Sequence, residues 1–199
     1  MLVIGLTGGI GSGKSSLSRL LADYGAVVVD ADAVTRELQQ PGEPVFAAMV
    51  DRFGSHIVGA DGALDRPAVA DIVFADADAL ADLNSIVHPA VGAEIARRME
   101  DLAVTDEVVV LDVPLMVESA NAYPVAGLLV VDVDPEVAVE RLVTHRGMRA
   151  DDVRARMARQ ATREQRLARA DLVVDNSGTP ADLQAQADRA WAWIQSLRS

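Results

Sequence analysis

The 199 residues, half of them hydrophobic and 24% charged, have room for one real core and a small inserted subdomain, and no apolar run approaches the ~20 residues of a membrane span. A formal charge of −12 disfavours broad nucleic-acid binding, and zero cysteines exclude disulfides and thiolate-held metals. With no basic leader and no cleavage site at the N-terminus, a cytoplasmic protein is expected.

Leu2 to Leu6 is an apolar run that predicts a buried strand, and Leu17, Leu20, Leu21 and Tyr24 follow at helical spacing. Between them Gly8, Gly13, Lys14 and Ser15 fit G-x-x-x-x-G-K-[ST], a phosphate-binding loop. Its glycines let successive N–H groups turn onto phosphate oxygens, and the helix start adds partial positive charge. A lysine there reaches the outer phosphates, and the serine hydroxyl can sit on Mg²⁺. The expected nucleotide contacts are Gly9, Gly11, Ser12, Gly13, Lys14, Ser15 and Ser16. Lys14 is the only lysine in the chain. Gly9, Gly11 and Gly13 do not give the dinucleotide pattern G-x-G-x-x-G.

Ala26 to Val29 predict a second strand that ends in Asp30-Ala31-Asp32, before a helix through Val34, Glu37 and Leu38 that stops at Pro41-Gly42. In an open α/β sheet, ligands sit beyond the carboxyl ends of the strands, so these aspartates are expected beside the phosphate loop. One carboxylate there can take a proton from an attacking hydroxyl or hold Mg²⁺ through water; equally, Asp32 could do no more than cap the helix. Residues 44 to 103 carry no convincing strand. Helical spacing runs through Val45, Met49 and Phe53, then Val69, Ile72 and Val73, then from Leu80 to Val87, and again from Pro89 to Leu102 with proline at the first position. So long a strandless stretch between two strands reads as an inserted helical subdomain holding a second substrate.

Glu107 to Val113 predict a buried strand whose Asp112 has the form of a Walker-B carboxylate, though a helix cap is the plainer alternative. Gly127 to Asp134 predict a fourth strand, and Pro135 starts the next helix. Residues 149 to 169 then hold seven arginines against three acids, a local +4, while the remainder of the chain stands at −16. In one helix Arg156, Arg159, Arg163 and Arg166 would form a basic stripe able to close over a triphosphate; a solvated face is the bland reading of any one of them. Leu172 to Asp175 predict a last strand, and Thr179 caps a final helix with Trp191, Ile194 and Leu197 as core anchors. His56 reads as a surface residue, His88 stands before Pro89 at an expected helix start, and no histidine spacing suggests zinc.

These residues resemble the dephospho-coenzyme A kinases. The opening IGLTGGIGSGKS stands as Ile4 to Ser15, and the aspartate-any-aspartate element with its trailing arginine as Asp30, Asp32 and Arg36. Asp65-Arg66, Ile72-Val73-Phe74, Leu83-Asn84, Ile86 and His88-Pro89 form an ordered block. Asp112, Pro114, Leu115 and Glu118 follow, then Arg141-Leu142, Arg156 to Gln160, and Ala170-Asp171 with Asn176 and Gly178. The resemblance implies ATP-dependent phosphorylation of the ribose 3′-hydroxyl of dephospho-coenzyme A; with Mg²⁺ expected from the phosphate loop, and with charge and hydropathy speaking against nucleic acid and membrane, the expected partners are ATP and dephospho-coenzyme A. It implies an α/β fold: a parallel P-loop core (about 1–43, 104–140 and 170–199), a helical coenzyme-A-binding insert (44–103) and an arginine-rich lid (141–169).

By the same resemblance Asp32 is the catalytic base, Lys14 and Arg141 steady the phosphoryl group, and Arg36, Arg66, Asn84 and His88 face the acceptor; the metal candidates remain Ser15, from the phosphate loop, and Asp112, from its Walker-B form. The family's usual arginine four residues after Arg141 is here His145, with Arg146 beside it; either of the two could reach ATP, and Arg146 is the arginine candidate. The rival readings are another small-molecule P-loop kinase, acting on a nucleoside or nucleotide, and a guanine-nucleotide switch. The insert block disfavours the first, and the lack of a second lysine for an N-K-x-D element excludes the second.

Overall fold

The computed structural model of the chain describes residues 1–118 and 123–198. The apolar runs form β1 (Leu2–Gly8), β2 (Val27–Asp30), β3 (Val108–Asp112), β4 (Gly127–Asp132) and β5 (Leu172–Asp175), joined into one all-parallel sheet in the order β2-β3-β1-β4-β5. Parallel strands need covered faces, which is why the central ones read as unbroken valine and leucine runs: β3 and β4 are buried at every position. Ile4, Leu6, Val108, Val110, Leu129 and Val131 meet Leu17 and Leu21 of α1 (Lys14–Asp23) and Leu183, Ala187, Ala190 and Ile194 of the C-terminal helix Pro180–Ser196. Thr179 caps that helix through a reciprocal pair with Asp182. Trp191 packs against this core with Tyr24, whereas Leu197, expected as a third anchor, is over a third exposed just past the helix end.

Register brings four carboxylates to one edge. Asp30 pairs with Asp112, Leu6 with Asp112 and Gly8 with Val131, and Asp132 pairs with Asp175. Every strand but the first therefore ends in aspartate, at the carboxyl edge where open sheets of this kind bind ligands.

The chain divides into two compact units, Met1–Asp30 with Leu102–Ser199, and Ala31–Asp101. The second has its own core of Val45, Met49, Phe53, Ile57, Val69, Val73, Ala79 and Val87. It contains α2 (Ala31–Leu38), α3 (Pro44–Phe53), a 3₁₀ turn at Ser55–Ile57, α4 (Arg66–Ala75) and α5 (Ala77–Ala103, its last two residues in the first unit). One isolated antiparallel bridge, Val58 to Leu64, is the extended pairing found between residues 44 and 103. The two helices predicted on either side of His88 are one: α5 runs straight through Pro89. Proline removes an N–H and crowds the carbonyl four residues back, yet Ala79, Val87, Ala90 and Val91 all pack on the unit's core, and that burial outweighs the interruption. His88 accordingly sits exposed in mid-helix and not at a helix start.

The first unit is completed by α6 (Pro135–Arg146), α7 (Ala150–Met157), α8 (Arg163–Arg169) and α9, the C-terminal helix above. The basic stripe expected on one helix is broken up: Arg156 lies on α7, Arg159 in the turn after it, and Arg163 and Arg166 on α8. Thr162 accepts from the Gln165 amide while the Gln165 side chain accepts from the Thr162 amide, a capping box that starts a new helix and breaks the periodicity of the arginines.

Candidate active site

The loop between β1 and α1 is built on backbone geometry that glycine alone tolerates. Gly13 has φ +82°, and a Cβ there would lie 2.1 Å from the side-chain nitrogen of Asn176. At Gly9 a Cβ would meet Arg166 Nη2 at 2.8 Å, so a guanidinium from α8 rests directly on the loop. Ser12 N–H donates to the Gly9 carbonyl at 3.0 Å, closing the turn, and Ser16 and Leu17 amides reach the Gly13 carbonyl to begin α1. The amides of Lys14 and Ser15 belong to the first helical turn, whose N–H groups a helix cannot satisfy internally. Ser12 Oγ is buried and has no hydrogen-bond partner among the described residues. Helix-start amides, a positive helix end and a buried hydroxyl without a hydrogen-bond partner among the described residues suit a phosphate chain.

Lys14 Nζ donates to Asp112 Oδ1, an ion pair in which the carboxylate is almost wholly buried and the ammonium partly so. Burial pushes the Asp112 carboxyl above its usual range and Lys14 opposes that shift, with Asp30 adding like-charge repulsion. Residues 114 to 118 form turns, so among the described residues no helix starts next to Asp112 for it to cap. Ser15 is exposed at the head of α1. Among the described residues no three acidic or histidine side chains gather as a metal cage. Magnesium asks for less, keeping waters and taking one or two carboxylates with substrate phosphates, and the hard oxygens of Ser15 and Asp112 fit that demand.

The arginine segment closes one side of the loop. Arg163 makes a two-pronged contact with the buried Asp132, Nε donating at 2.9 and 3.0 Å and Nη2 at 2.6 Å, which raises the guanidinium above its ordinary value. Gln160 Oε1 accepts from the Ile10 amide at 2.9 Å, and Ala161 N–H donates to Glu118 Oε1 at 2.8 Å. A cavity of about 140 Å³ lies here, lined by Gly9, Ile10, Ser12, Asp132, Arg163 and Arg166 among others.

Arg141, on α6, donates to two backbone carbonyls, Asn176 at 2.6 Å and Gly178 at 2.9 Å. Its guanidinium thus braces the turn after β5. Arg146 is exposed in the last turn of α6, next to His145.

In the second unit Asp32 is exposed and lies one residue inside α2, so it is not the N-cap. Arg36 stands one turn further along the same helix. Asn84 and His88 are four apart on α5 and share a face. Arg66 opens α4, capped by Asp65, which accepts from the Ala68 amide at 3.0 Å. Arg52, Arg97 and Arg98 are paired with carboxylates, but Arg66 Nη1 donates at 2.8 Å to Gln39 Oε1, a buried neutral amide that leaves its charge uncompensated by that contact. Sequence reasoning missed Gln39, Asp132 and the anchoring roles of Gln160 and Glu118; the one local signal it passed over was the Thr162-x-x-Gln165 box.

A parallel sheet with G-x-x-x-x-G-K-S between its first strand and first helix, its lysine held at the carboxyl edge, defines a P-loop kinase-type α/β protein. The sequence profile of the family described as dephospho-CoA kinase matches residues 2–182. The dephospho-CoA kinase of Streptomyces avermitilis is 52% identical over 192 residues, covering 96% of this chain and 93% of that one. A crystal structure of TT1252 from Thermus thermophilus superposes with TM-score 0.79 at 32% identity, covering 96% of each chain. The dephospho-CoA kinase structure from Campylobacter jejuni shares the fold, with TM-score 0.73 at 20% identity over 98% and 97% of the two chains. The chain belongs to the dephospho-CoA kinase family.

Proposed function

We propose that this protein transfers the γ-phosphoryl group of ATP to the ribose 3′-hydroxyl of dephospho-coenzyme A, giving coenzyme A and ADP, the last step of coenzyme A synthesis. The observation that carries this reading is the placement of the chain's only lysine, at the head of α1 behind the glycine loop and paired with Asp112 at the carboxyl edge, in a member of this family. Phosphoryl transfer has a loose transition state, so positioning and charge neutralisation outweigh a strong base. The loop amides and Lys14 hold the outer phosphates, with Ser12 Oγ supplying a further contact. The acceptor 3′-oxygen bonds to γ-phosphorus as the bond to the β-bridging oxygen breaks, and Asp32 takes the hydroxyl proton.

Magnesium, held by Ser15 and Asp112, would neutralise phosphate charge. Arg141 steadies the transferring phosphoryl group, Arg146 binds ATP, and the segment 141–169 acts as the lid. The helical insert, 44–103, holds the acceptor through Arg36, Arg66, Asn84 and His88; the neutral partner of Arg66 supports this, since a carboxylate-paired arginine offers an anion less. A cytoplasmic site of action fits a chain without cysteine.

The test is direct: purified protein with Mg²⁺ and ATP is given dephospho-coenzyme A, adenosine, nucleoside monophosphates and shikimate, and products are weighed by mass spectrometry. Only dephospho-coenzyme A is expected to gain a phosphoryl group; preferential phosphorylation of any other acceptor overturns the assignment.

A further inference from the structure

Asn176 is nine-tenths buried in the turn after β5, and three of its polar groups are engaged. Its amide donates to the Asp132 carbonyl at 2.8 Å, its carbonyl accepts from Arg141 Nη1 at 2.6 Å, and its side-chain Nδ2 donates to the Ser12 carbonyl at 2.7 Å. The first two bonds tie its backbone to β4 and α6. The third therefore reaches the phosphate loop from a fixed point. A carbonyl can only accept, so it is the NH₂ end of the Asn176 amide that must face Ser12.

The peptide between Ser12 and Gly13 is planar and trans, so its C=O and N–H point in opposite directions. Holding the Ser12 oxygen on Asn176 turns the Gly13 N–H away from Asn176. The left-handed φ of Gly13 belongs to the same arrangement, and the Asn176 nitrogen fills the space a Cβ would take. We infer that Asn176 is a positioning residue for nucleotide binding: it sets the Ser12–Gly13 peptide plane so that the Gly13 N–H is aimed at the phosphate chain of the nucleotide. This rests on the reading that the loop holds the triphosphate. Asn176 acts through the loop and need not touch the nucleotide.

The full-length protein and its Asn176→Ala and Asn176→Asp variants would be compared in two assays: KM and kcat for ATP, and competitive inhibition by inorganic tripolyphosphate, which carries the phosphates without the base. Inhibition of the wild type by tripolyphosphate tests the loop reading by itself; its absence overturns that reading. The ratio of variant to wild type tests the inference. Loss of one well-placed donor predicts a rise of roughly tenfold in both the KM for ATP and the Ki of tripolyphosphate, larger for Asp because its carboxylate faces a carbonyl, with kcat changed much less.

A raised KM with unchanged tripolyphosphate inhibition would overturn the inference, placing Asn176 at the base end of the nucleotide. Unchanged values in both assays, with only a lowered melting temperature, would overturn it as well. If neither variant folds, the wild type decides by NMR: tripolyphosphate should shift the Gly13 amide proton together with the Asn176 side-chain NH₂, and a Gly13 amide that stays put refutes the proposal.

Discussion

Lys14 carries two separable duties, and one substitution exposes both. With no second lysine to stand in, Lys14→Ala should lower turnover at least a hundredfold; a loss under tenfold would count against the P-loop assignment. The same change strips the partner from a buried carboxylate, which typically costs about 3–5 kcal/mol. Asp112 already sits above its ordinary 3.8 in the folded protein, so the folded state binds that proton more tightly than the unfolded chain does. Stability from this group is full below pH 3.8 and is lost as pH rises through the folded pKa. Removing Lys14 lifts that pKa further, so the variant's deficit should be greatest at pH 8, roughly 10 °C in melting temperature, and shrink on acidification. Adding Asp112→Asn should restore much of the stability and none of the activity; a double variant as unstable as the single one would mean the pair is not what the lysine stabilises.

Asp32 is tested by Asp32→Asn, expected to cut kcat by roughly 10²–10⁴ with ATP affinity little changed, measured by steady-state kinetics and equilibrium binding. The lysine and its loop were legible because strand, glycines and helix start are contiguous. Asn176 was legible only as part of a resemblance, since nothing local joins it to Ser12 across 164 positions.

Elements were most readable where burial and local preference agree. The valine-rich strands and the Thr179 cap are cases of agreement, and α5 is the case of conflict. Proline in a helix interior costs up to about 3 kcal/mol, and here the core contacts of the flanking turns absorb it. Pro89→Ala should therefore stabilise the second unit, by on the order of 1–3 kcal/mol, visible as a raised melting temperature. An unchanged or lowered value would show that the helix is strained elsewhere to accommodate proline. The opposite error occurred in the arginine segment, where a three- and four-residue recurrence masked a capping box. Since α8 buries no residue, that box is a main support of its helix, and Thr162→Ala should speed amide exchange at residues 163–169 while leaving global stability within about 1 kcal/mol. Exchange unchanged in that window would assign its order to the Arg163–Asp132 contact instead.

At the scale of the molecule, charge is divided unevenly between the two units. Residues 31–101 hold 13 acidic and 5 basic side chains, a net −8, and Arg52, Arg97 and Arg98 are committed to carboxylates. An anionic acceptor bound there must rely on few cations, of which Arg66 has a neutral partner. The other unit concentrates its arginines beside the loop and offsets the aspartates of the sheet edge with Lys14 and Arg163. The division predicts two separate footprints in hydrogen exchange. Nucleotide alone, at about 100 times its Kd, stabilises what it binds by about 2.7 kcal/mol and should protect residues 8–18 and 160–169. Dephospho-coenzyme A alone should protect the turns around Arg66 and the Asn84–His88 face of α5. If nucleotide slowed exchange across 66–88 while the acceptor left it untouched, the second unit would not be the acceptor's seat, and the roles of Arg66, Asn84 and His88 would have to be assigned anew.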